Sequence, residues 1–134
     1  MYRIVLKEML TPTICRMKVE ASRLASAALP GQFLIIRADE QGERIPLTIS
    51  DFDKDAGTVT IVTQKIGAST SEICSYEEGD SFADVVGPLG IPSDFTEIPD
   101  EELAGKRYVF IAGGVGTAPV YPQVKWLHER GAKV

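Results

Sequence analysis

Histidine occurs once and cysteine only twice in 134 residues, and neither falls in a ligand or disulfide pattern. Cys15 and Cys74 stand far apart in unrelated surroundings, with no C-x-x-C pair, which argues against a zinc module or a secreted disulfide framework and for reduced thiols. No basic run exists that could follow a phosphate backbone, and 19 acidic against 14 basic residues leave a formal charge of -5, so nucleic acid is not expected as a partner. No apolar run approaches the ~18 residues of a membrane span. Met1 leads into an alternating pattern instead of a basic region and an apolar leader, and a soluble, cytoplasmic protein with no membrane contact is expected. What remains is an ordinary globular composition, 44% apolar and 25% charged, on a chain long enough to bury a core.

The most informative stretch is residues 42–51, GERIPLTISD. Arg44, Pro46, Thr48 and Ser50 share one parity; Ile45, Leu47 and Ile49 share the other. On a strand the aliphatic set enters a core while a guanidinium and two hydroxyls converge on the opposite side, a combination suited to a phosphate. Read alone, the same pattern also describes an amphipathic strand with a solvated face.

Before it, residues 2–7 and 15–20 alternate as two strands, and Pro30-Gly31 turns into an apolar run, Phe33 to Ile36, that predicts a strand buried on both faces. After it, residues 58–65 form a β-branched strand with Thr60, Val62 and Gln64 on one face. Short strands at roughly ten-residue spacing predict a closed antiparallel barrel. Ser69 followed by Glu72 reads as a capping box, which starts a helix at Ser69; its glycine-led, hydroxyl-rich entry suits an anion, or simply caps a short bridge between strands. A further strand covers residues 81–86, a loop covers 87–90, and residues 91–105 read as an exposed connector containing the domain boundary.

Residues 108–112 read as an apolar strand, residues 113–119 as a glycine-rich turn, and Val120, Val124 and Leu127 recur at helical spacing. Strand, glycine turn and helix open a nucleotide-binding βαβ unit. The fit to G-x-G-x-x-G is partial: Gly114 and Gly116 match, but Pro119 holds the third position. The acidic residue expected ~20 positions on would fall where the sequence stops, so the chain reads as a fragment of a longer protein. His128, near the end of that helix, reads as a surface residue.

Together, RIPLTISD, IGASTSEI, DVVGPLGIP and AGGVGTAPVYP resemble the ferredoxin-NADP reductase superfamily over the whole chain. Within it they are similar to the flavoprotein subunit of NADH-dependent ferredoxin-NADP oxidoreductase, also called a sulfide dehydrogenase subunit, with the electron-transfer subunit of dihydroorotate dehydrogenase as the rival. The resemblance implies an all-β antiparallel Greek-key barrel holding FAD over residues 1–100, and the start of an α/β Rossmann-like NAD(P)-binding domain over 101–134. It places Arg44 on the flavin pyrophosphate and Pro46, Leu47, Thr48 and Ile49 beside the isoalloxazine and ribityl chain, and counts Thr63 and Gln64 among the cofactor-binding residues. Gly67, Ser69 and Thr70 fall on the pyrophosphate; Gly113, Gly114, Val115, Gly116, Thr117, Ala118 and Pro119 face the nicotinamide nucleotide.

The implied activity is FAD-dependent electron transfer between NAD(P)H and ferredoxin or iron-sulfur centres, within a hetero-oligomer containing a partner oxidoreductase subunit. This fragment is expected to be inactive alone. The superfamily's Arg-x-Tyr-Ser is replaced here by Arg44, Ile45, Pro46 and Leu47, so the tyrosine that stacks on the flavin in that motif has no counterpart at its place. A 2Fe-2S centre is expected only beyond Val134, since two cysteines cannot supply four ligands. No residue is assigned as an acid or base. The competing reading is a non-catalytic barrel that docks a partner subunit, its glycines serving only turns.

Overall fold

The computed structural model describes residues 2–134. Strands β1 (Tyr2–Thr11), β2 (Ile14–Glu20), β3 (Phe33–Arg37), β4 (Arg44–Thr48), β5 (Asp51–Asp53), β6 (Thr58–Gln64), β7 (Ser81–Phe82) and β8 (Asp84–Leu89) are joined by α1 (Ser22–Ala27) and α2 (Ala68–Ser75). Helices α3 (Asp100–Leu103) and α4 (Thr117–Glu129) follow, with 3-10 turns at Asp94–Glu97 and Gly114–Gly116.

Hydrogen bonding forms two antiparallel sheets, β5-β6-β2-β1-β7 and β4-β3-β8, so the closed ring of ladders expected from strand spacing is not formed. Both edges of one sheet nevertheless continue covalently into both edges of the other: β4 turns into β5 through Ile49 and Ser50, and β7 into β8 through Ala83. At the first corner the Ile49 N–H donates to the Gln32 carbonyl at 3.2 Å and the Ser50 N–H to the Thr60 carbonyl at 2.9 Å, so consecutive amides serve opposite sheets. At the second, the Ala83 N–H donates to the Ala38 carbonyl at 3.0 Å. Corners of this kind give edge strands partners without a continuous ladder.

The core follows the period of two. Register pairs Val19 with Val59, Met17 with Ile61 and Cys15 with Thr63, and all six side chains are buried. Ile4, Leu34, Ile36, Ile49 and Phe82 complete the same cluster. In β3 only Leu34 and Ile36 are fully buried; Phe33 and Ile35 take the outward parity and Phe33 is exposed, which corrects the expectation of a strand buried on both sides. Residues 87–89, expected as loop, extend β8 instead, with Leu89 opposite Phe33.

Residues 91–105 are more ordered than their lack of periodicity implied. Leu103 of α3 packs with Leu127 and Ala132 into a second, smaller cluster that takes in Phe95, Ile98, Tyr108 and Phe110. The strand expected over residues 108–112 does not form. Its alternation is real, since Tyr108 and Phe110 pack on this cluster while Val109 and Ile111 are 81% and 95% exposed. A strand exists only through a neighbour that exchanges hydrogen bonds, and here pairing is limited to one parallel bridge between Arg107 and Lys133. Among the described residues no helix is long and apolar enough to cross a membrane.

Candidate functional site

β4 carries its residues as the parity argument requires as far as Thr48. Arg44 and Pro46 are exposed and Thr48 half-buried on one side, while Ile45 and Leu47 pack against the core on the other. Arg44 extends from the strand's first position to Asp84 of β8, 3.1 Å away across the intervening Arg37. Both partners of that pair meet solvent, so the contact stabilises little and the guanidinium is available to a stronger anion. The pattern fails at Ser50, because the chain has already turned the corner and Ser50 is buried beneath α4.

The N-cap of α2 lies two residues before the predicted capping residue, Ser69. It is Gly67, in extended backbone, and Thr70 supplies the reciprocal half of the cap: its hydroxyl accepts from the Gly67 N–H at 3.0 Å and the Ile66 N–H at 2.9 Å. The Ser69/Glu72 capping box is therefore not formed. Ser69, freed from that role, donates its hydroxyl to the carboxylate of Glu43, the residue before Arg44. The N–H groups of Ala68, Ser69 and Thr70 lie in the first turn, where a helix offers no acceptor. A Cβ at Gly67 would meet nothing within 4 Å, so the approach to this backbone is open. The segment that carries Arg44 is thus tied to the amino end of α2 by one hydrogen bond, made by the Glu43 carboxylate, while the Arg44 guanidinium itself pairs with Asp84.

Outward from this point runs the face of β6 made by Gln64, Val62 and Thr60. It spans roughly 13 Å at the rise of a strand. At its far end Thr60 and Val62 line a cleft of about 520 Å³ together with Leu10, Ile14, Ser50, Gly114, Val115, Thr117, Ala118 and Tyr121. Leu10, Ile14 and Tyr121 were not identified from sequence; Leu10 and Tyr121 are large apolar side chains left 48% exposed.

The glycine turn is held over this cleft by the corner residues. Ser50 donates its hydroxyl to the Ala118 carbonyl at 3.1 Å. Within α4 that carbonyl would receive an N–H from residue 122, but residue 122 is proline and has none, so the serine satisfies an acceptor the helix cannot. The adjacent Asp51 accepts from Lys125 at 2.9 Å, and this hydrogen bond, more than any other influence, holds the Lys125 ammonium above its ordinary range. Gly114 sits at φ +58, a conformation that disfavours other residues, while Gly113 and Gly116 have open space where a Cβ would stand.

Apart from Pro46, Leu47 and Thr48, which lie on β4 as described, the sequence-predicted residues fall into three places. Gly67, Ser69 and Thr70 form the amino end of α2, which is bonded to Glu43 next to Arg44, with Gln64 leading from them. Gly114, Val115, Thr117 and Ala118 line the cleft at the other, with Gly113, Gly116 and Pro119 in the same turn. Ile49 and Thr63, expected at the ligand, are each 1% exposed with side chains in the core, because their parity is that of the buried rows; only their peptide groups could serve a ligand.

One constellation is absent from the sequence reading altogether. Cys15 of β2 and Cys74 of α2 are both buried and their sulfurs are 2.8 Å apart, with Cys15 donating. Burial, and next the Cys74 hydrogen bond, push the Cys15 thiol from 9.0 up to about 12. A pKa raised in the folded state means that the native chain holds the proton more tightly than the unfolded one. The stabilisation is complete below about pH 9 and is lost as pH rises toward about 12. Denaturant unfolding across that window should show stability falling, and Cys15→Ala should flatten the fall; an equally steep fall in the variant would remove Cys15 as its cause.

No family model matches the chain. Curated relatives do. The chain is 58% identical over 134 residues to an "uncharacterized protein in adh 3'region" of Clostridium beijerinckii, covering 100% of this chain and 45% of that protein. It is 40% identical over 116 residues to the "dihydroorotate dehydrogenase B (NAD(+)), electron transfer subunit homolog" of Thermotoga maritima, covering 87% of this chain and 39% of that one. The chain thus spans about half the length, or less, of these relatives. Among solved structures, one described as an NADH-dependent reduced ferredoxin-NADP oxidoreductase, reported for flavin-based electron bifurcation, superposes with TM-score 0.88 at 37% identity, over 98% of this chain and 45% of that one. A phthalate dioxygenase reductase, described as a modular structure for electron transfer from pyridine nucleotides to 2Fe-2S, shares the fold with TM-score 0.73 at 20% identity, over 98% of this chain and 40% of that one.

Proposed function

This chain belongs to the ferredoxin-NADP reductase superfamily, and from that premise we propose that it is the FAD-holding part of an electron-transfer subunit working between NAD(P)H and ferredoxin or other iron-sulfur centres. The observation that carries this reading is the Glu43–Ser69 hydrogen bond, which ties the segment carrying Arg44 to the open first turn of α2, at one end of a strand face whose other end opens under the glycine turn. An exposed cation on this segment, together with three first-turn amides that the helix leaves without acceptors, fits a pyrophosphate in charge and in donor count. The exposed Glu43 carboxylate, an anion already bound to Ser69, supports the same fit and can swing into solvent.

When bound, FAD supplies the exchange between a two-electron hydride donor and one-electron acceptors; the protein contributes binding, orientation and exclusion of water. Arg44 and the amides of Ala68, Ser69 and Thr70 would hold the pyrophosphate. Pro46 and Thr48, with the peptide groups of Leu47 and Ile49, would border the rest of the flavin. Residues 113–119 would face the nicotinamide nucleotide, kept against the sheet by Ser50 and Lys125. The division at residue 100, a cytoplasmic setting, ferredoxin and a partner subunit as associates, and a 2Fe-2S centre held outside these 134 residues belong to the same proposal.

The test is the visible spectrum of the purified chain after FAD is added and the sample desalted. A retained flavin band is the expected result. A colourless protein with an intact β-type circular dichroism spectrum would reject the reading in favour of the docking module.

A further inference from the structure

The two cysteines form a unit that the electron-transfer reading does not use. Cys15 lies in β2, and Cys74 lies on α2 one residue before that helix ends. They are separated by 59 positions in sequence, yet their sulfurs are 2.8 Å apart and buried to 1% and 2% exposure. That separation exceeds an S–S bond of ~2.0 Å by only about 0.8 Å. The Cys74 sulfur also lies 3.6 Å from the Thr63 carbonyl, and Lys7 donates to the Cys74 carbonyl at 2.7 Å, so the backbone carrying one thiol is fixed against the sheet carrying the other.

We propose that Cys15 and Cys74 form a reversible intramolecular disulfide that fastens α2 to β2, with a hydroperoxide as oxidant and a small dithiol as reductant. One thiolate attacks the peroxide oxygen, the O–O bond breaks, and the sulfur becomes a sulfenic acid. The second sulfur attacks that sulfur, the S–O bond breaks and water leaves; two thiols have then lost two electrons and two protons, and hydrogen peroxide has become two waters. A dithiol reverses the change by thiol–disulfide exchange and is itself oxidised to a disulfide. Access comes through α2, an eight-residue helix of which only Ile73 and Cys74 are buried, so its opening requires little of the core to part. In the closed state the strongly protonated Cys15 thiol keeps the pair reduced until that opening occurs.

The inference does not depend on bound flavin and is tested without it. The full chain is treated with hydrogen peroxide and analysed by intact mass, by thiol titration after denaturation, and by peptide mapping. The expected product is monomeric and lighter by two hydrogen atoms. It has no titratable thiol, a cross-linked pair of peptides containing Cys15 and Cys74, both thiols restored by dithiothreitol, and a melting temperature higher than that of the reduced chain. Cys15→Ser should instead add oxygen at Cys74 and show no rise in melting temperature. Oxygen addition at either sulfur of the wild-type chain without a cross-link, a disulfide between two chains, or survival of both thiols at a peroxide dose that oxidises free cysteine would each overturn the proposal. All three readouts use the wild-type chain, so a variant that fails to fold leaves the test intact.

Discussion

Arg44→Ala is expected to weaken FAD binding on the order of ten- to a hundred-fold, the consequence of removing one charge-assisted, bidentate partner of a phosphate. The fold should be unaffected, because the arginine is exposed and its ion pair with Asp84 joins two solvent-facing side chains. Fluorescence titration of FAD against wild-type and variant chains, with circular dichroism as the control, measures the difference. Arg44→Lys should recover only part of the loss, since an ammonium is a point charge without the planar fork. Affinity in Arg44→Ala equal to wild type would leave the strand without its assigned role, even if FAD binds elsewhere on the chain.

Phe82→Ala should cost about 3–5 kcal/mol, the range for deleting a fully buried aromatic ring. Phe82 is completely buried, stacks on Tyr76 with ring centroids 5.3 Å apart, and is the last residue of β7 before the chain crosses to the other sheet at Ala83. The cavity would open beside that corner, where the two sheets are joined by covalent chain and not by a ladder, and neighbouring groups have little freedom to collapse into it. Urea denaturation gives the result directly. A change below about 1 kcal/mol would mean that the corner relaxes far more readily than a packed core does.

Much of this arrangement was legible in the residues, and where it was not the reasons are specific. The faces of β4 followed from alternation because a strand leaves side chains no other choice until the chain bends; the reading lost Ser50 at the bend itself, where parity stops having meaning. The start of α2 was displaced by two residues because Gly67 with Thr70, and Ser69 with Glu72, are both workable caps three apart, and which pair is used depends on where Glu43 lies in space. Residues 108–112 have the alternation of a strand without the pairing that makes one, and pairing is not a local property of sequence. The contact between Cys15 and Cys74 was invisible for the same reason: a strand and a helix far apart along the chain acquire a common boundary only after the sheets have assembled.

The proline in α4 bears on how the later part of the chain becomes ordered. A helix normally meets the needs of its own interior, but this one holds a half-buried carbonyl at Ala118 whose usual partner, the N–H of residue 122, is missing, and a hydrogen bond in its place is worth about 1 kcal/mol. Ser50 can meet it only once β4 has turned into β5. The first turn of the last helix therefore depends in part on the corner between the two sheets, on strands made some seventy positions earlier, as the 68-residue separation of Ser50 and Ala118 measures.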